Sequence, residues 1–141
     1  MGREHKYRAW YKPLGVMIES KDLVMIEFEA KFIGAYILIE GKGYNRLRLS
    51  DCELMQYTGV HDDGEDEEEI CDSDIVELQY ENETHICKIK REGCGFMFVA
   101  DSLPDGFLWM TEVLECDRNY WWVEGTRKVG NIYDNPELIE V

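Results

Sequence analysis

The alternation of apolar and polar residues along the chain predicts short β-strands throughout. Residues 23–29 place Val24, Ile26 and Phe28 on one face at period two, and two glutamates on the other. Arg46–Leu49 alternates in the same way. Closely spaced turn signals separate such runs, and no amphipathic helical pattern of useful length occurs. These features predict a mainly β fold class.

The other runs rich in β-forming residues are 5–11, 16–19, 36–40, 53–57, 75–80, 85–90, 96–100, 120–124 and 127–133. Gly34 is taken as the boundary before the run at 36–40. The apolar residues of 107–116 fit neither the strand period nor the helix period, so the sequence is compatible with either a strand or a short helix there. Asn135–Leu138 predicts a helical turn with Pro136 at its first position.

An acidic block interrupts the strand pattern in the middle of the chain. From Asp62 to Asp74, nine of 13 residues are acidic and none is basic. Residues 1–58 hold nine bases and eight acids, whereas residues 75–141 hold six bases and 13 acids. We therefore predict an N-terminal β domain over 1–58, an acidic connecting loop over 59–74 and a small β-barrel over 75–141.

The acidic loop has three interpretations. It can be a solvated linker that like charges keep extended. It can instead contact a basic surface, either on a partner or on the Arg3, Lys6, Arg8, Lys12 strand of a neighbouring copy. A calcium site is disfavoured because the loop lacks the alternating acids and closing Glu of an EF-hand. The candidate contact residues are Asp62, Asp63, Glu65, Asp66, Glu67, Glu68 and Glu69.

The N-terminal strand mixes basic and aromatic side chains, the combination that a single-strand nucleic-acid binder uses. A simpler interpretation places Tyr7 and Ala9 in the core and the basic side chains on the solvent-exposed face of an edge strand. Arg8 and Trp10 stay candidate interface residues in either case. The net charge of −15 repels phosphate and disfavours direct binding of nucleic acid by the whole molecule.

Trp121 and Trp122 are adjacent on a predicted strand, so their side chains point to opposite faces. One of them therefore points outward. Tryptophan is enriched at binding hot spots, which makes the pair a candidate interface of a homo-oligomer. Packing of the outward ring under a loop is the alternative.

No motif for catalysis, a cofactor or a metal is recognised, and we predict a non-enzymatic protein with none of these sites. The three histidines lie in no nucleophile motif, and no glycine-rich phosphate loop occurs. Five cysteines without a CxxC pair predict free thiols in a reducing cytoplasm. His85 and Cys87 can reach one metal from the same strand face, but no second pair follows. The sequence predicts no membrane span and no secretion signal.

Three stretches resemble the YopX family of proteins encoded by bacterial phages and prophages. Tyr7–Trp10 with Met17-Ile18 is similar to the family opening "FRAW…MI". Leu54–Gly59, with Ile70 and Asp74–Val76 after it, is similar to "LMQYTGL…NGKEIYEGDIV". Gly130–Leu138 is similar to the ending "GNIYENPEL". The three motifs occur in the family order.

The resemblance implies an N-terminal β part, a C-terminal barrel of the SH3-like type and a tendency to form oligomers. It brings no activity and no site residue. This chain departs from the family pattern at the acidic loop, which is longer and more acidic. Cys71 stands for the usual Tyr and Ser73 for the usual Gly. If that Gly has a positive φ, Ser73 strains the turn.

Three functional hypotheses remain. The first is a phage or prophage accessory protein in the bacterial cytoplasm that self-associates or binds a host or phage protein through edge strands and outward aromatics. The second is an acidic mimic of nucleic acid that occupies a host DNA-binding protein, which requires regularly spaced, ordered acids over 62–74. The third is a hydrolase or nuclease that uses carboxylates and a divalent ion, which requires a concave cluster of acids with raised pKa values.

Overall fold

Strands dominate the computed structural model, which describes residues 6–139, and the prediction of a mainly β chain is confirmed. The chain divides into two compact units, residues 1–56 and residues 57–141. The boundary falls within strand β6 (Cys52–His61), so this strand starts in unit 1 and ends in unit 2. Among the described residues, no helical segment has the length and apolar character needed to cross a membrane.

Unit 1 contains two sets of strands around one small core. β1 (Tyr7–Tyr11) lies between β2 (Val16–Ile18) and the first half of β6, antiparallel to both. β3 (Leu23–Glu27), β4 (Phe32–Ile39) and β5 (Lys42–Arg48) form an antiparallel meander. A 3₁₀ turn at Leu49–Asp51 leads into β6. The core residues are Ala9, Ile18, Ile33, Ala35, Leu47 and Cys52.

The prediction that β1 is an edge strand with its basic side chains on a solvent-exposed face is wrong. β1 is paired on both sides, and Arg8 is only 2% exposed. Arg8 and its neighbour Ala9 point to opposite faces of β1 and both are buried, so both faces of this strand are covered. Ala9 lies in the core as predicted, and Lys12 is exposed in the following turn. Arg3 and His5 lie outside the described residues.

The period-two face predicted for residues 23–29 is also wrong in part. A bulge between Leu23 and Met25 breaks the alternation, so Val24 and Met25 are both exposed. Phe28 lies beyond the end of β3 and is exposed as well. The predicted strand at 36–40 is longer in the structure, because β4 continues through Gly34. The Tyr44 ring of β5 covers Gly34 and leaves no room for a side chain.

Unit 2 is built around a five-stranded antiparallel sheet in the order β11-β10-β9-β8-β14. Its strands are β8 (Asp74–Tyr80), β9 (Glu83–Glu92), β10 (Gly95–Val99), β11 (Phe107–Trp109) and β14 (Thr126–Asn131). The second half of β6 pairs with β7 (Glu69–Cys71) and β13 (Tyr120–Val123), and β12 (Leu114–Arg118) pairs with β13. The core residues are Val60, Ile70, Val76, Leu78, Cys87, Ile89, Phe98, Leu103, Leu108, Met110 and Val123.

The SH3-like barrel predicted for residues 75–141 is not confirmed. Within the described part of the chain, the end strands β11 and β14 of the five-stranded sheet are not paired with each other. Residues 107–116, which the sequence left open between strand and helix, form β11, a 3₁₀ turn at Met110–Glu112 and the start of β12. β12 then pairs with β13 instead of extending the sheet. The predicted helical turn is confirmed as the 3₁₀ turn Pro136–Leu138.

Ser73 occupies the strained backbone position that its substitution for the family Gly predicts. Its φ is 70°, in the left-handed region that favours glycine. The position is fixed on both sides, because the Ser73 N–H donates to the carbonyl of Ile89 and the Ser73 carbonyl accepts from the N–H of Ile132, each at 2.9 Å. The turn between β7 and β8 therefore keeps its shape despite the serine.

Ser73→Gly is expected to raise the free energy of unfolding by about 0.5–1 kcal/mol, because glycine adopts this φ without steric cost. Urea denaturation of the two proteins measures the difference. Ser73→Ala is the control and should leave stability nearly unchanged, since alanine keeps the Cβ. A gain of equal size in both variants would show that the hydroxyl, rather than the backbone, is the source of the strain.

Candidate functional site

Asp62 is a buried structural residue at the start of the acidic loop, with a side chain only 2% exposed. Its Oδ1 accepts hydrogen bonds from the backbone N–H groups of Gly64 and Glu68, at 3.2 and 3.0 Å. Its Oδ2 accepts from the N–H of Lys128 in β14 at 2.9 Å. Three backbone donors thus converge on one carboxylate, which closes the loop and ties it to a strand distant in sequence.

Asp63 makes a second anchor to the same region. Its carboxylate accepts from the Arg118 guanidinium at 3.0 Å and from the N–H of Gly125 at 2.9 Å. The Asp63 N–H donates to the carbonyl of Thr126 at 2.8 Å. Gly125 lies in the turn between β13 and β14, and Thr126 is the first residue of β14. Asp63 therefore fastens the loop between β6 and β7 to two consecutive residues at the start of β14.

Arg118 joins the anchored loop to an aromatic ring. Its guanidinium lies 3.4 Å from the ring centre of Trp122, a cation–π contact. Desolvation lowers the pKa of Arg118, but hydrogen bonds to Asp63 and Tyr120 outweigh it and raise the pKa above the usual value. A hydrogen bond to Glu67 is the main cause of a raised pKa at the Tyr120 hydroxyl. The arrangement holds the loop by several charge-assisted hydrogen bonds.

The solvated-linker interpretation is wrong for Asp62 and Asp63 and agrees with the exposure of the next acids. Residues 65–68 are exposed at the tip of the loop, and Glu69 lies at its base, where its carboxylate accepts from the N–H of Gly59 at 3.1 Å. The loop is thus an ordered acidic hairpin, residues 62–68. Within residues 6–139, no group of three His, Cys, Asp or Glu side chains is placed to hold a metal ion.

A buried ion pair lies next to this hairpin. Asp74 is fully buried and its Oδ2 accepts from the N–H of Cys71 at 2.7 Å. The same oxygen lies 3.2 Å from Nζ of Lys128. Lys128 therefore binds Asp62 through its backbone and Asp74 through its side chain. The sequence analysis did not single out Asp74, Lys128 or Arg118, although all three organise the loop.

The candidate interface aromatics belong to different units and differ in exposure. Trp121 is 51% exposed and Trp122 is 8% exposed, which confirms that adjacent strand residues point to opposite faces. The indole N–H of Trp122 donates to Asp117 at 2.7 Å, so this residue is structural. Trp10 belongs to unit 1, where it is half-buried on β1 opposite Met17 of β2. Trp121 is the exposed member of the set.

An exposed apolar surface in unit 1 was missed by the sequence analysis. On the β3-β4-β5 sheet, four large side chains are exposed: Met25 by 40%, Tyr36 by 61%, Leu38 by 73% and Tyr44 by 41%. Tyr36 and Tyr44 are cross-strand partners with ring centres 5.7 Å apart in an edge-to-face contact. We call these four residues the outer face. The signal was the sequence FIGAYILI of β4, which is apolar on both faces of the strand.

An acidic cleft of about 790 Å³ lies in unit 2. It has the concave form that the hydrolase hypothesis requires, and its acids are Glu81, Glu112, Glu115 and Glu124. The Glu112 carboxylate already accepts from the N–H of Trp109 at 3.1 Å. The described residues that line the cleft include no His, Cys, Ser or Lys. The cleft therefore brings four carboxylates together, one of which already accepts a hydrogen bond.

His85 and Cys87 lie on the same strand face, as predicted, but this face is buried in unit 2. Nδ1 of His85 lies 2.7 Å from the hydroxyl oxygen of Ser102, and Cys87 belongs to the core. Burial raises the pKa of the Cys87 thiol to about 12. Burial, followed by the nearby charge of Asp51, raises the pKa of the Cys52 thiol to about 11. Both groups stay as neutral thiols at physiological pH.

We expect only two of the five thiols, Cys94 and Cys116, to react with an aromatic disulfide reagent at pH 8 in the native protein, because the other three are buried. In the unfolded chain, thiols titrate near about pH 8.5. Both thiols have a higher pKa in the folded protein than in the unfolded chain, so their ionisation favours unfolding. The free energy of unfolding therefore keeps its full contribution from Cys52 and Cys87 below that pH, and it falls as the pH rises towards 11 and 12. Rapid labelling of more than two thiols without denaturant would contradict the burial.

These observations define the class of the protein: a small acidic β protein of two units, with an anchored acidic hairpin and an exposed apolar sheet face. The sequence model of the YopX protein family matches residues 6–140. The chain belongs to the YopX family.

Two solved structures share this fold. One is yopX from Bacillus subtilis, with a TM-score of 0.61, 20% sequence identity and coverage of 96% of this chain and 98% of that chain. The other is protein EF1440 from Enterococcus faecalis, with a TM-score of 0.60, 20% identity and coverage of 99% and 100%. No curated protein matches the chain.

Proposed function

We propose that this protein is a non-enzymatic module that associates with further copies of itself through the outer face of unit 1. The observation that carries the proposal is the exposure of Leu38 by 73% and of Tyr36 by 61% on one strand. Contiguous exposed aromatic and aliphatic side chains are typical of protein–protein contact surfaces. A phage or prophage origin and action in the bacterial cytoplasm belong to the same proposal and rest on the family resemblance.

The distribution of charge favours self-association through unit 1. Residues 1–56 hold nine basic and eight acidic side chains, a net charge of +1. Residues 57–141 hold six basic and 22 acidic side chains, a net charge of −16. Two copies of a nearly neutral surface meet with little repulsion, whereas two copies of a strongly acidic surface repel each other. Contact between copies is therefore expected at unit 1.

Leu38→Glu is expected to convert the oligomer to a monomer, because it puts a charge at the centre of an apolar contact. Sedimentation velocity measures the mass of each variant. Leu14→Glu is the matched control, since Leu14 is also exposed, by 53%, but lies in the turn between β1 and β2. Equal masses for Leu38→Glu and the wild type would contradict the proposal. Loss of the oligomer in Trp121→Glu alone would place the contact at unit 2 instead.

A second candidate function is mimicry of nucleic acid, which the anchoring of the acidic hairpin favours. Asp62 and Asp63 fasten the loop, so its exposed acids extend from an ordered base. A mimic needs carboxylates that are spaced regularly, as phosphates are at about 3.4 Å along the helix axis in each strand of DNA. This ordered base is the specific feature that a freely moving linker would lack.

Competition with DNA tests the mimic. The protein should displace a short duplex from a bacterial nucleoid-associated protein, measured by fluorescence anisotropy of the labelled duplex. A variant with Glu65, Asp66, Glu67 and Glu68 changed to Gln or Asn should lose this effect. The control changes Glu81 and Glu124 of the acidic cleft to Gln, and should retain it. Equal loss in both variants would indicate a general effect of charge and would contradict mimicry by the hairpin.

A further inference from the structure

Charged residues flank the outer face of unit 1 with opposite signs on its two sides. On the β3 side, Glu27 ends the strand and the exposed Glu29 follows it, and the Glu29 N–H donates to Oε1 of Glu27 at 3.1 Å. On the β5 side, Arg46 and Arg48 are exposed. The outer face therefore has an acidic margin along β3 and a basic margin along β5.

Glu27 and Arg48 lie in the same row of this sheet. Both are cross-strand partners of Phe32 on the central strand β4. Their neighbours Ile26 and Leu47 pack in the core of unit 1, so Glu27 and Arg48 point to the opposite, outer face. With strands about 4.8 Å apart, the backbones of the two residues are separated by about 10 Å. Among the described residues, neither side chain forms an ion pair within its own copy.

Two-fold symmetry restricts how two such faces can meet. Identical surfaces that contact each other do so about a two-fold axis. In the common aligned packing of two sheets, the strands lie within about 30° of each other, so this axis runs either across the strands or along them. An axis across the strands places β3 on β3 and β5 on β5, which brings margins of like charge together. An axis along the strands places β3 of each copy on β5 of the other and keeps every residue in its own row.

We propose that two copies of this chain pack their outer faces about a two-fold axis along β4, with Glu27 of each copy in contact with Arg48 of the other. Packed sheets lie about 10 Å apart, a gap that a glutamate and an arginine side chain span together. The same axis places Leu38 of one copy against Leu38 of the other in the apolar part of the contact.

This inference rests on the proposed self-association and adds its symmetry and its register. The apolar side chains of the outer face supply the affinity, because they are the groups that lose contact with water. The two equivalent ion pairs fix the orientation, since complementary charges at the margin of an interface contribute specificity more than affinity. Reversing one of these charges puts like charges together at both ends of the contact.

Charge reversal tests the pairing by sedimentation velocity of the full chain. We expect Glu27→Arg and Arg48→Glu each to raise the dissociation constant by about tenfold or more through repulsion between copies. An equimolar mixture of the two variants should regain the affinity of the wild type. In the mixed pair, one copy carries arginine at both positions and the other carries glutamate at both. Restoration also demonstrates that both variants are folded.

Lys12→Glu and Glu53→Arg are the matched controls. They make the same two changes of charge in an exposed ion pair, 3.3 Å apart, that lies between the turn after β1 and the strand β6. Both variants should associate as the wild type does, and mixing them should leave the affinity unchanged. Equal weakening by these controls would indicate a general effect of charge and would overturn the inference.

The remaining outcomes separate the pairing from self-association itself. Wild-type affinity of Glu27→Arg and Arg48→Glu, or a mixture no tighter than either variant alone, would overturn the inference. If Leu38→Glu is monomeric in the same experiment, the outer face still mediates association and only the symmetry is wrong. A wild type that is monomeric would contradict both the proposed function and this inference.

Discussion

Asp62→Ala is expected to lower the free energy of unfolding by about 3–5 kcal/mol, because three backbone N–H groups lose one buried acceptor. These donors belong to Gly64, Glu68 and Lys128. An unsatisfied buried donor costs about 1–3 kcal/mol, and partial entry of water reduces the total. Domains of this size are stable by about 5–15 kcal/mol, so the loss is a large fraction of the whole. Urea denaturation measures it.

Asp66→Ala is the control for Asp62, since both are aspartates of the acidic hairpin but Asp66 is exposed. Its effect should stay within about 0.5 kcal/mol. Asp62→Asn should lower the free energy of unfolding by an amount between those of Asp62→Ala and Asp66→Ala, because its amide keeps one acceptor oxygen and replaces the other with a donor nitrogen. Similar small effects for all three substitutions would mean that the hairpin is not fastened through Asp62.

Lys128→Met is expected to destabilise the protein by about 3 kcal/mol, because it leaves the fully buried carboxylate of Asp74 without the ammonium group 3.2 Å away. The side chain of Lys128 is itself only 19% exposed, so water replaces the lost ammonium poorly. The N–H of Cys71 still donates to Asp74, which keeps the cost at the lower end of the usual range. Chemical denaturation gives the value.

Lys90→Met is the matched control for Lys128→Met. Lys90 lies 3.5 Å from Glu92, but both side chains are 56% exposed. Such a surface pair contributes about 0–1 kcal/mol. A double-mutant cycle of Asp74→Asn with Lys128→Met should give a coupling energy above about 1 kcal/mol, as residues in direct contact do. Additive effects would show that the two side chains do not stabilise each other.

The strands were largely predictable because their signals are local. Period-two alternation and turn residues identified most strands of both units, and Pro136 identified the last helical turn. The bulge at Val24 was not predictable, since a bulge depends on the register with β4 rather than on the sequence of β3. The burial of Arg8 was not predictable for a similar reason, since it depends on what covers the second face of β1 and not on the sequence of β1.

The candidate site was harder to predict because its contacts are distant in sequence. The run of acids indicated a charged loop, and the exposure of residues 65–68 agrees with it. Nothing in the run distinguishes Asp62 from Asp66, since the donor that Lys128 supplies to Asp62 lies 66 residues away. The exposed outer face had a local signal in β4, but an apolar strand is as typical of a core as of a contact surface.

The two units therefore suggest a division of roles. Unit 2 uses buried charges and hydrogen bonds to hold its acidic hairpin in place, whereas unit 1 exposes apolar side chains. Strong negative charge on unit 2 opposes contacts between copies at that surface. The apolar surface of unit 1 lies in the nearly neutral part of the sequence, where association is least opposed.

The most direct test of this account is the mass of the wild-type protein in solution, measured by light scattering on a sizing column at low and high salt. We expect an oligomer that persists at high salt, because an apolar contact is not screened by ions. A monomer under both conditions would contradict self-association. An oligomer that dissociates at high salt would show that charges, rather than the outer face, hold the copies together.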